Sequence, residues 1–329
     1  MNRRLFLKTG IALGAFPTLT HAQVLGGPRE LMSEAPTTIG LIADLHHGLE
    51  PTAEKRLDAF MNEVDKNKPD SILQLGDFNF GEKSSQPCMK LWEQFKGKRH
   101  HVLGNHDMDK FGKKHMLDFW GMPGRYYSFD QGPIHFVILD RNHLRKENKF
   151  VAYEKANFYV DGRFRGFADD AQLEWLEADL KKTKKPTVVF AHQGLGMDDQ
   201  KHPSNAAIEK VLADANRDRT KPKVIACFCG HHHIDRYNFK DQIHYVWINS
   251  ASYYWVGGKY GRMAGYKDPL FCFLSFDSNG SIQLEGRRSE WVAPSPKERG
   301  VPDWEKLTTW ISDRQLTAGE KESANKSGV

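Results

Sequence analysis

The sequence predicts an α/β fold organised around parallel strands, and three observations predict it. Short runs rich in Ile, Leu and Val recur along the chain, as in strands that are buried on both faces. Segments between these runs repeat apolar residues at helical spacing. Several of these apolar runs also end in a polar residue or are followed directly by one. Strand, crossover and strand in succession is the pattern typical of a parallel sheet.

The first third of the chain has the pattern of three strands and two helices. Residues 38–43 form the first predicted strand, and residues 52–67 form a helix with one apolar face. Residues 71–75 form the second strand. A short helix at residues 89–95 leads to the third strand, at residues 100–103. We therefore expect these strands to lie parallel to one another in one sheet.

Strand patterns continue through the rest of the chain. A helix is expected to begin at Asp169 or Asp170, where Gln172 is placed to close a capping box with Asp169. The turn Asn279-Gly280 predicts a hairpin. Predicted strands of a second sheet are residues 126–129 and 134–139, further buried strands are 187–190, 224–228 and 245–248, and the hairpin pairs 270–276 with 282–284.

Two segments do not fit the alternation of strands and helices. Residues 141–168 are polar, aromatic and basic, and they are predicted to be an inserted loop that is solvated, gates the site or grips a second phosphate. The main domain is expected to span residues 37–292. Residues 293–329 should hold an amphipathic stretch at residues 304–311 and a disordered tail from Thr317.

Residues 1–22 have the features of an export signal. The arginine pair Arg3-Arg4 is followed by an apolar stretch and by a small-residue cleavage site that ends at Ala22. This start resembles a bacterial twin-arginine signal, although Asn2 stands where Ser or Thr is usual. A membrane anchor is the alternative, but the apolar run is shorter than the ~20 residues that a spanning helix needs. We expect cleavage, export by the twin-arginine machinery, and a soluble periplasmic protein without stable membrane insertion.

Composition narrows the class of protein. Hydrophobic residues make up 39% and charged residues 27% of the chain, which is ordinary for a soluble globular protein. The net charge is +5, but the first 22 residues carry three basic and no acidic side chains. Without them, 44 Lys and Arg face 42 Asp and Glu, a net charge of +2. No nucleic-acid polymer is expected as a partner.

The four cysteines are expected to be buried thiols. Cys227 and Cys229 stand two apart in a predicted strand and share one face, which is a poor geometry for a bond between them. A bridge from either to Cys272 stays open, and Cys88 has no predicted partner. A chain of this length does not need disulfides for stability.

Polar residues at the ends of five predicted strands are the candidate functional residues: Asp44, Asp77, Asn105, His192 and His231. Open α/β sheets place ligand sites at the carboxyl ends of their strands. Taken singly, each residue also suits a helix cap, a turn or a core position. His233 follows His231 at a spacing that projects both rings the same way from extended backbone. Carboxylates, imidazoles and an amide together suit divalent Mn, Fe or Zn.

Five short motifs, in order, resemble those of the calcineurin-like metallophosphoesterase superfamily: Asp44-x-His46, Gly76-Asp77, Gly104-Asn105-His106-Asp107, a lone His192, and Gly230-His231-x-His233. The resemblance implies a four-layer α/β/β/α sandwich and two divalent metal ions. It implies that one ion is held by Asp44, His46, Asp77 and His233. The other would be held by Asp77, Asn105, His192 and His231, so that Asp77 bridges the two.

The resemblance also implies the chemistry. Two ions ~3.5 to 4 Å apart activate a bridging hydroxide for in-line attack on a phosphate ester. His106 would contact the phosphate and protonate the leaving oxygen, and Asp107 would orient His106. A phosphodiester or pyrophosphate of a nucleotide derivative or lipid head group is favoured as substrate. A phosphomonoesterase with the same metals is the alternative, and a non-catalytic metal-binding scaffold is a further one.

Residues beside these motifs are expected to support the site from outside. His47 and His232 adjoin ligand positions without matching any of them, so solvated or supporting roles are expected. Tyr253, Tyr254 and Trp255 follow the last motif closely, where they either stack on part of the substrate or pack at the rim.

Overall fold

A computed structural model of the chain describes residues 36–321 apart from 148, 198–202 and 218–219, so the predicted signal at residues 1–22 lies outside it. The strands, in chain order, are β1 (Thr37–Ile42), β2 (Ser71–Gln74), β3 (Lys98–His101), β4 (Tyr127–Gln131), β5 (Ile134–Leu139), β6 (His143–Lys146), β7 (Lys149–Ala152), β8 (Arg165–Phe167), β9 (Thr187–Ala191), β10 (Val224–Cys229), β11 (Arg236–Lys240), β12 (Ile243–Trp247), β13 (Tyr253–Gly257), β14 (Arg262–Gly265), β15 (Cys272–Phe276), β16 (Ile282–Gly286) and β17 (Arg314–Leu316). The α-helices are α1 (Ala53–Asn67), α2 (Gln86–Trp92), α3 (Lys113–Trp120), α4 (Asp170–Lys182) and α5 (Pro203–Asn216).

Two six-stranded sheets form the centre of the fold. The first has the order β17-β16-β15-β1-β2-β3, and the second has the order β11-β12-β10-β9-β5-β4. The strands β1, β2 and β3 run parallel, as do β5, β9, β10 and β12, while the remaining pairs of both sheets are antiparallel. The predicted parallel strands are therefore confirmed, and they are split between two sheets.

Apolar contacts stack these sheets into four layers. Between the sheets, Leu41 and Leu73 from the first pack in one cluster with Phe136 and Phe190 from the second. The helices α1, α2 and α3 bury apolar faces against the other side of the first sheet. The helices α4 and α5 cover the second sheet in the same way. The α/β/β/α sandwich that the resemblance implied is confirmed.

The segment at residues 141–168 is not the loop that was predicted. Its strands form a small sheet of order β7-β6-β8, in which both pairings are antiparallel. The segment is anchored by Leu144, Tyr153 and Phe158, which are buried in the core beneath α1 to α3. Strands of three or four residues are too short for a clear alternating pattern, and their basic side chains obscured the apolar anchors.

Other details also differ from the sequence prediction. Asp169 caps α4 by accepting the backbone N–H of Gln172. The Gln172 side chain contacts the backbone of Asp140 instead, so the capping box is only half formed. Within residues 304–311, the structure has a 3₁₀ turn at Trp304–Lys306 and no other helix or strand. Residues beyond the predicted start of the tail are structured, because Thr317 and Glu320 form a β-bridge. Residues 322–329 lie outside the described part.

All four cysteines are buried and free, as expected. Cys227 and Cys229 face the layer of α4 and α5, whereas Cys272 lies between the two sheets. The second sheet therefore separates Cys272 from the other two, and the bridge left open above does not form. Within the described residues, no helix is long and apolar enough to cross a membrane.

The close approach of Gly286 to the C-terminal segment predicts a stability defect. A Cβ at Gly286 would lie 1.9 Å from the carbonyl oxygen of Ile311, which is backbone and cannot swing away. We expect Gly286→Ala to lower the free energy of unfolding by about 1–3 kcal/mol, measured by urea denaturation. Gly258→Ala is the control, because a Cβ there meets nothing within 4 Å. Equal stability of the two variants would contradict the docking of residues 309–316 on the first sheet.

Candidate metal centre

The predicted ligands meet where parallel strands of both sheets end. Asp44, Asp77 and Asn105 follow β1, β2 and β3, and His192 and His231 follow β9 and β10. Six of the seven predicted ligands fall into two groups in which the ligand atoms lie within 4.8 Å of one another. The first group is Asp44, His46 and His233, and the second is Asp77, His192 and His231. The structure thus brings all six residues together from distant parts of the chain.

The first group presents nitrogen and oxygen lone pairs to a common point. His233 Nδ1 donates to the carbonyl oxygen of Tyr253 at 2.5 Å, which leaves Nε2 unprotonated in the neutral ring. This Nε2 lies 3.4 Å from Asp44 Oδ1 and 3.1 Å from His46 Nε2. Burial holds the pKa of His46 well below its usual value, so its imidazole is neutral and able to coordinate a cation.

The second group has a similar arrangement, except that burial is outweighed by the Asp77 carboxylate, which raises the pKa of the His192 imidazole to about 9. His192 Nδ1 donates to the carbonyl oxygen of Leu75 at 2.8 Å, and this bond orients the ring. Its Nε2 lies 3.2 Å from Asp77 Oδ2 and 3.2 Å from His231 Nδ1. Burial also holds the pKa of the His231 imidazole well below its usual value. His192 therefore directs a ring nitrogen at the Asp77 carboxylate, and a ring nitrogen of His231 lies within 4.8 Å of the other ligand atoms of the group.

Asp77 lies between the two groups. Its Oδ2, 3.2 Å from His192 Nε2, is also 3.8 Å from His46 Nε2 in the first group. The other oxygen, Oδ1, accepts the backbone N–H of His106 at 2.8 Å. Burial disfavours the charged carboxylate, but His192 and His106 outweigh burial and hold the pKa of Asp77 well below its usual value. A single ionised oxygen therefore faces both groups.

Asn105 completes the set of oxygen and nitrogen donors. It lines the same cavity as His231, and its buried Oδ1 has no hydrogen-bond partner among the described residues. An unpaired buried carbonyl oxygen is costly unless a cation or another donor binds it. Two buried carboxylates, four imidazoles and this amide oxygen fit two divalent ions of the Mn, Fe or Zn type.

Strained backbone coincides with the candidate ligands. A positive φ costs a non-glycine residue about 1–3 kcal/mol, and such strain gathers at functional sites. Thirteen non-glycine residues of the described part have a positive φ, and five of them are candidate ligands. The five are Asp44 (φ 52°), His46 (54°), Asp77 (51°), His231 (69°) and His233 (53°).

Two serines support this strained backbone. Ser250 Oγ donates to the carbonyl oxygen of Asp44 at 2.9 Å, and Ser252 Oγ donates to that of Leu45 at 2.8 Å. Both serines are fully buried in the loop after β12. The sequence analysis did not identify them. Their only sequence signal is a run of small polar residues after a buried strand.

Glycines in the motifs leave room for neighbouring ligands. A Cβ at Gly104 would lie 2.1 Å from the backbone nitrogen of Asp77 and 2.2 Å from its Oδ1. A Cβ at Gly230 would lie 2.7 Å from Asp44 Oδ2. Each glycine therefore precedes one ligand in sequence while making space for another in the structure.

His106 lies beside the two groups, but Asp107 does not orient it as predicted. His106 Nδ1 instead contacts Asp109 Oδ2 at 2.9 Å, in a pair that is partly open to solvent. Burial lowers the pKa of His106, but the carboxylates of Asp77 and Asp109 outweigh burial and raise it above its usual value. Asp107 is adjacent to His106 and points in a different direction, whereas residues three apart in a 3₁₀ turn lie above one another. Asp109 is therefore the carboxylate that reaches His106.

Asp107 has a structural role in the same turn. Its two oxygens accept four backbone N–H groups, from Asp77, Phe78, Asn79 and Gly104, at 2.7–3.2 Å. Burial and the nearby Asp77 raise the pKa of Asp107 to about 8, while the amides of Gly104 and Phe78 favour the charged form. Asp107 thus joins the loop that carries Asp77 to the loop that carries Asn105.

Aromatic residues border the first group. Tyr253 is buried and stacks on His46, with 5.1 Å between ring centroids. The Trp255 ring is partly exposed and lies 6.3 Å from the His106 ring. Tyr254 points away and packs against the core.

His47 lies outside both groups, with Nε2 3.2 Å from Glu54, and His232 lines the cavity beside His231.

Comparisons with known proteins give a matching family profile and solved structures of similar fold. The sequence profile described as calcineurin-like phosphoesterase matches residues 37–235, more than half of the chain. No curated protein matches the chain significantly. Among solved structures, a dimetal phosphatase from Danio rerio is 17% identical, with a TM-score of 0.60 over 86% of this chain and 99% of that one. GAP50, the anchor in the inner membrane complex of Plasmodium, is 16% identical, with a TM-score of 0.52 over 88% and 90%.

The pairing of His106 with Asp109 predicts how the histidine titrates. In the metal-free chain, Asp109→Asn should lower the pKa of His106, because a carboxylate that stabilises the imidazolium is removed. The measurement is the pH dependence of the His106 ring resonances in ¹H–¹⁵N spectra. Asp118→Asn is the control, since that carboxylate is exposed on α3 and pairs with Lys114. An unchanged His106 pKa in Asp109→Asn would contradict the pairing.

Proposed function

The chain belongs to the calcineurin-like phosphoesterase family, and we propose that it is a dinuclear metal-dependent hydrolase of phosphate esters. The observation that carries the proposal is the position of Asp77 Oδ2 between two buried groups of ligand atoms. The likeness to GAP50 and to the dimetal phosphatase is a likeness of fold alone, and the intact donor set is what favours catalysis. Two sets of donors that share one carboxylate suit a pair of ions better than a single ion.

The donor set defines where the ions would be held. Asp44, His46 and His233 would bind one, Asn105, His192 and His231 the other, and Asp77 would contact both. When bound, the two ions would supply an activated water and positive charge that stabilises the phosphoryl transition state. The protein ligands carry only two formal negative charges, so the site keeps a net positive charge that attracts a phosphate.

His106 is proposed as the general acid. Asp109 holds Nδ1, so Nε2 is the ring nitrogen free to donate a proton to the leaving oxygen. The raised pKa of His106 favours the protonated form that such a donor needs. Tyr159 lies beside the same ring, with its hydroxyl 3.4 Å from Nδ1, and is 63% exposed. Together with Trp255 it offers an aromatic surface for the leaving group.

A phosphodiester or pyrophosphate, of a nucleotide derivative or a lipid head group, is the favoured substrate. A cavity of about 250 Å³ opens beside His231 and Asn105, which gives room for a second substituent on phosphorus. A phosphomonoester has no second substituent on phosphorus to occupy this cavity. A phosphomonoesterase that uses the same metal site is the second candidate.

The test compares p-nitrophenyl phosphate with bis(p-nitrophenyl) phosphate as substrates of residues 23–329, with Mn²⁺, Fe²⁺ or Zn²⁺ added. We expect turnover of the diester to exceed that of the monoester. Asp77→Asn should lower kcat by about a thousand-fold or more, because the shared carboxylate is lost. Asp65→Asn, which changes an exposed carboxylate on α1, should match the wild type. Activity retained in Asp77→Asn would refute the dinuclear assignment, and absence of any turnover would favour a scaffold.

We also propose that residues 1–22 direct export to the periplasm through the twin-arginine machinery. The support is the Arg3-Arg4 pair with the apolar stretch that follows it. Replacing both arginines with lysine should retain the full-length chain in the cytoplasm of a bacterial host, measured by fractionation and immunoblotting. Unchanged periplasmic accumulation of the Lys-Lys variant would contradict this route.

A further inference from the structure

The cavity beside the metal centre contains charged and polar groups that the proposed chemistry does not use. Its volume is about 250 Å³, and one wall is formed by the candidate ligands Asn105 and His231. Arg141, Gln193 and Arg165 line it as well. Pockets that hold drug-sized ligands measure ~300–1,000 Å³, so this cavity suits one small group attached to the phosphate at the metals.

Arg141 is a buried cation that makes no ion pair within the described residues, although Glu209 stabilises its charge from further away. It is 4% exposed, and no carboxylate of the described residues pairs with it. Its terminal nitrogens donate to the carbonyl oxygens of Gly194 and Gly166 and to Asn205 Oδ1. Its Nε has no partner among the described residues. Burial lowers the pKa of Arg141 to about 10, so the guanidinium still carries its charge at neutral pH. A buried charge that lacks an ion-pair partner is costly, and a bound anion would offset that cost.

Gln193 also lines this cavity, and the orientation of its amide follows from its neighbours. The Asn142 amide nitrogen donates to the carbonyl oxygen of Leu103 and to Asp140 Oδ1, both of which can only accept. Asn142 Oδ1 must therefore face Gln193, whose Nε2 donates to it at 2.6 Å. This chain of bonds settles the orientation of the Gln193 amide. Its Oε1 is buried, has no partner among the described residues, and is available to a hydroxyl donor.

Arg165 adds a second cation at the exposed side of the cavity. It is an exposed residue of β8, and its Nη1 donates to the carbonyl oxygen of Phe158 at 3.2 Å. No ion pair joins it to a carboxylate of the described residues. Two guanidinium groups that make no ion pair within the described residues therefore line a cavity that candidate metal ligands also line.

We propose that this cavity is a subsite for a second anionic group of the substrate, a phosphate or a carboxylate carried by the second substituent on phosphorus. The anionic oxygens would accept hydrogen bonds from Arg141 Nε and from Arg165. A hydroxyl on the same substituent would donate to Gln193 Oε1. This inference rests on the proposed function, because the scissile phosphate must lie at the metals for its substituent to reach the cavity.

The test uses diesters that share one chromophore and differ only in the second alcohol. Each is a p-nitrophenyl phosphate diester of ethanol, choline, 3-hydroxypropionate or 2-hydroxyethylphosphonate, so the second group is neutral, cationic, a carboxylate or a phosphonate. We expect the metal-loaded wild type to have a kcat/KM for the better anionic ester about ten-fold above that for the ethyl ester. The choline ester should be the poorest substrate. The two anionic esters separate carboxylate from phosphate recognition.

Substitutions of Arg165 test whether this residue contributes to the preference for anionic esters. Arg165→Ala should reduce the anionic-to-ethyl ratio by about three-fold, because Arg141 remains, and Arg165→Glu should shift selectivity toward the choline ester. Both change an exposed side chain, and circular dichroism checks that they fold. Arg163→Ala is the matched control, because Arg163 is exposed two residues away and pairs with Asp161. The ratio of this control should equal that of the wild type.

The outcomes separate the subsite from the proposed function. Equal kcat/KM for the anionic and ethyl esters in the wild type would overturn the subsite alone. The same conclusion would follow if Arg165→Ala kept the full anionic preference. If no ester, including p-nitrophenyl phosphate, were hydrolysed with any of the metals, the proposed function would fall and the subsite with it.

Discussion

The arrangement of the site depends on the position of the Asp77 carboxylate. One oxygen of this buried group faces a histidine from each of the two ligand groups, and the other is held by the backbone N–H of His106. Placing an anion there requires donors around it and space beside it. Asp107 holds the loop that carries Asp77. Gly104 has no side chain and so leaves the space that the Asp77 carboxylate occupies. The two candidate metal sites form one centre because they share this residue.

The sandwich explains how residues so far apart in sequence reach this carboxylate. Parallel strands of both sheets end at the same edge, and each contributes one loop to the site. The loops after β1, β2 and β10 leave their strands through residues with a positive φ, which turns the ligands inward at a cost that the rest of the domain offsets. Ser250 and Ser252 hold one of these loops from behind. A rigid scaffold of this kind keeps donors in place before any cation binds.

The sequence was sufficient for the strands that carry the ligands and for the residues that the structure brings together there. Buried runs that end in a polar residue are strong local signals, and the motifs supplied their order. Asp109 could not be distinguished from Asp107, because the choice depends on side-chain directions within one turn. Ser250 and Ser252 act through backbone groups about 200 residues away. The small sheet at residues 141–168 was missed because its strands are short and its apolar anchors stand among basic residues.

The most direct measurement of the central claim is an anomalous difference map from crystals of the chain grown with Mn²⁺. Two peaks ~3.5–4 Å apart are expected, one on either side of Asp77 Oδ2. One would be bound by Asp44, His46 and His233, and the other by Asn105, His192 and His231. A single peak, or two peaks of which only one contacts Asp77, would contradict a centre built on a shared carboxylate.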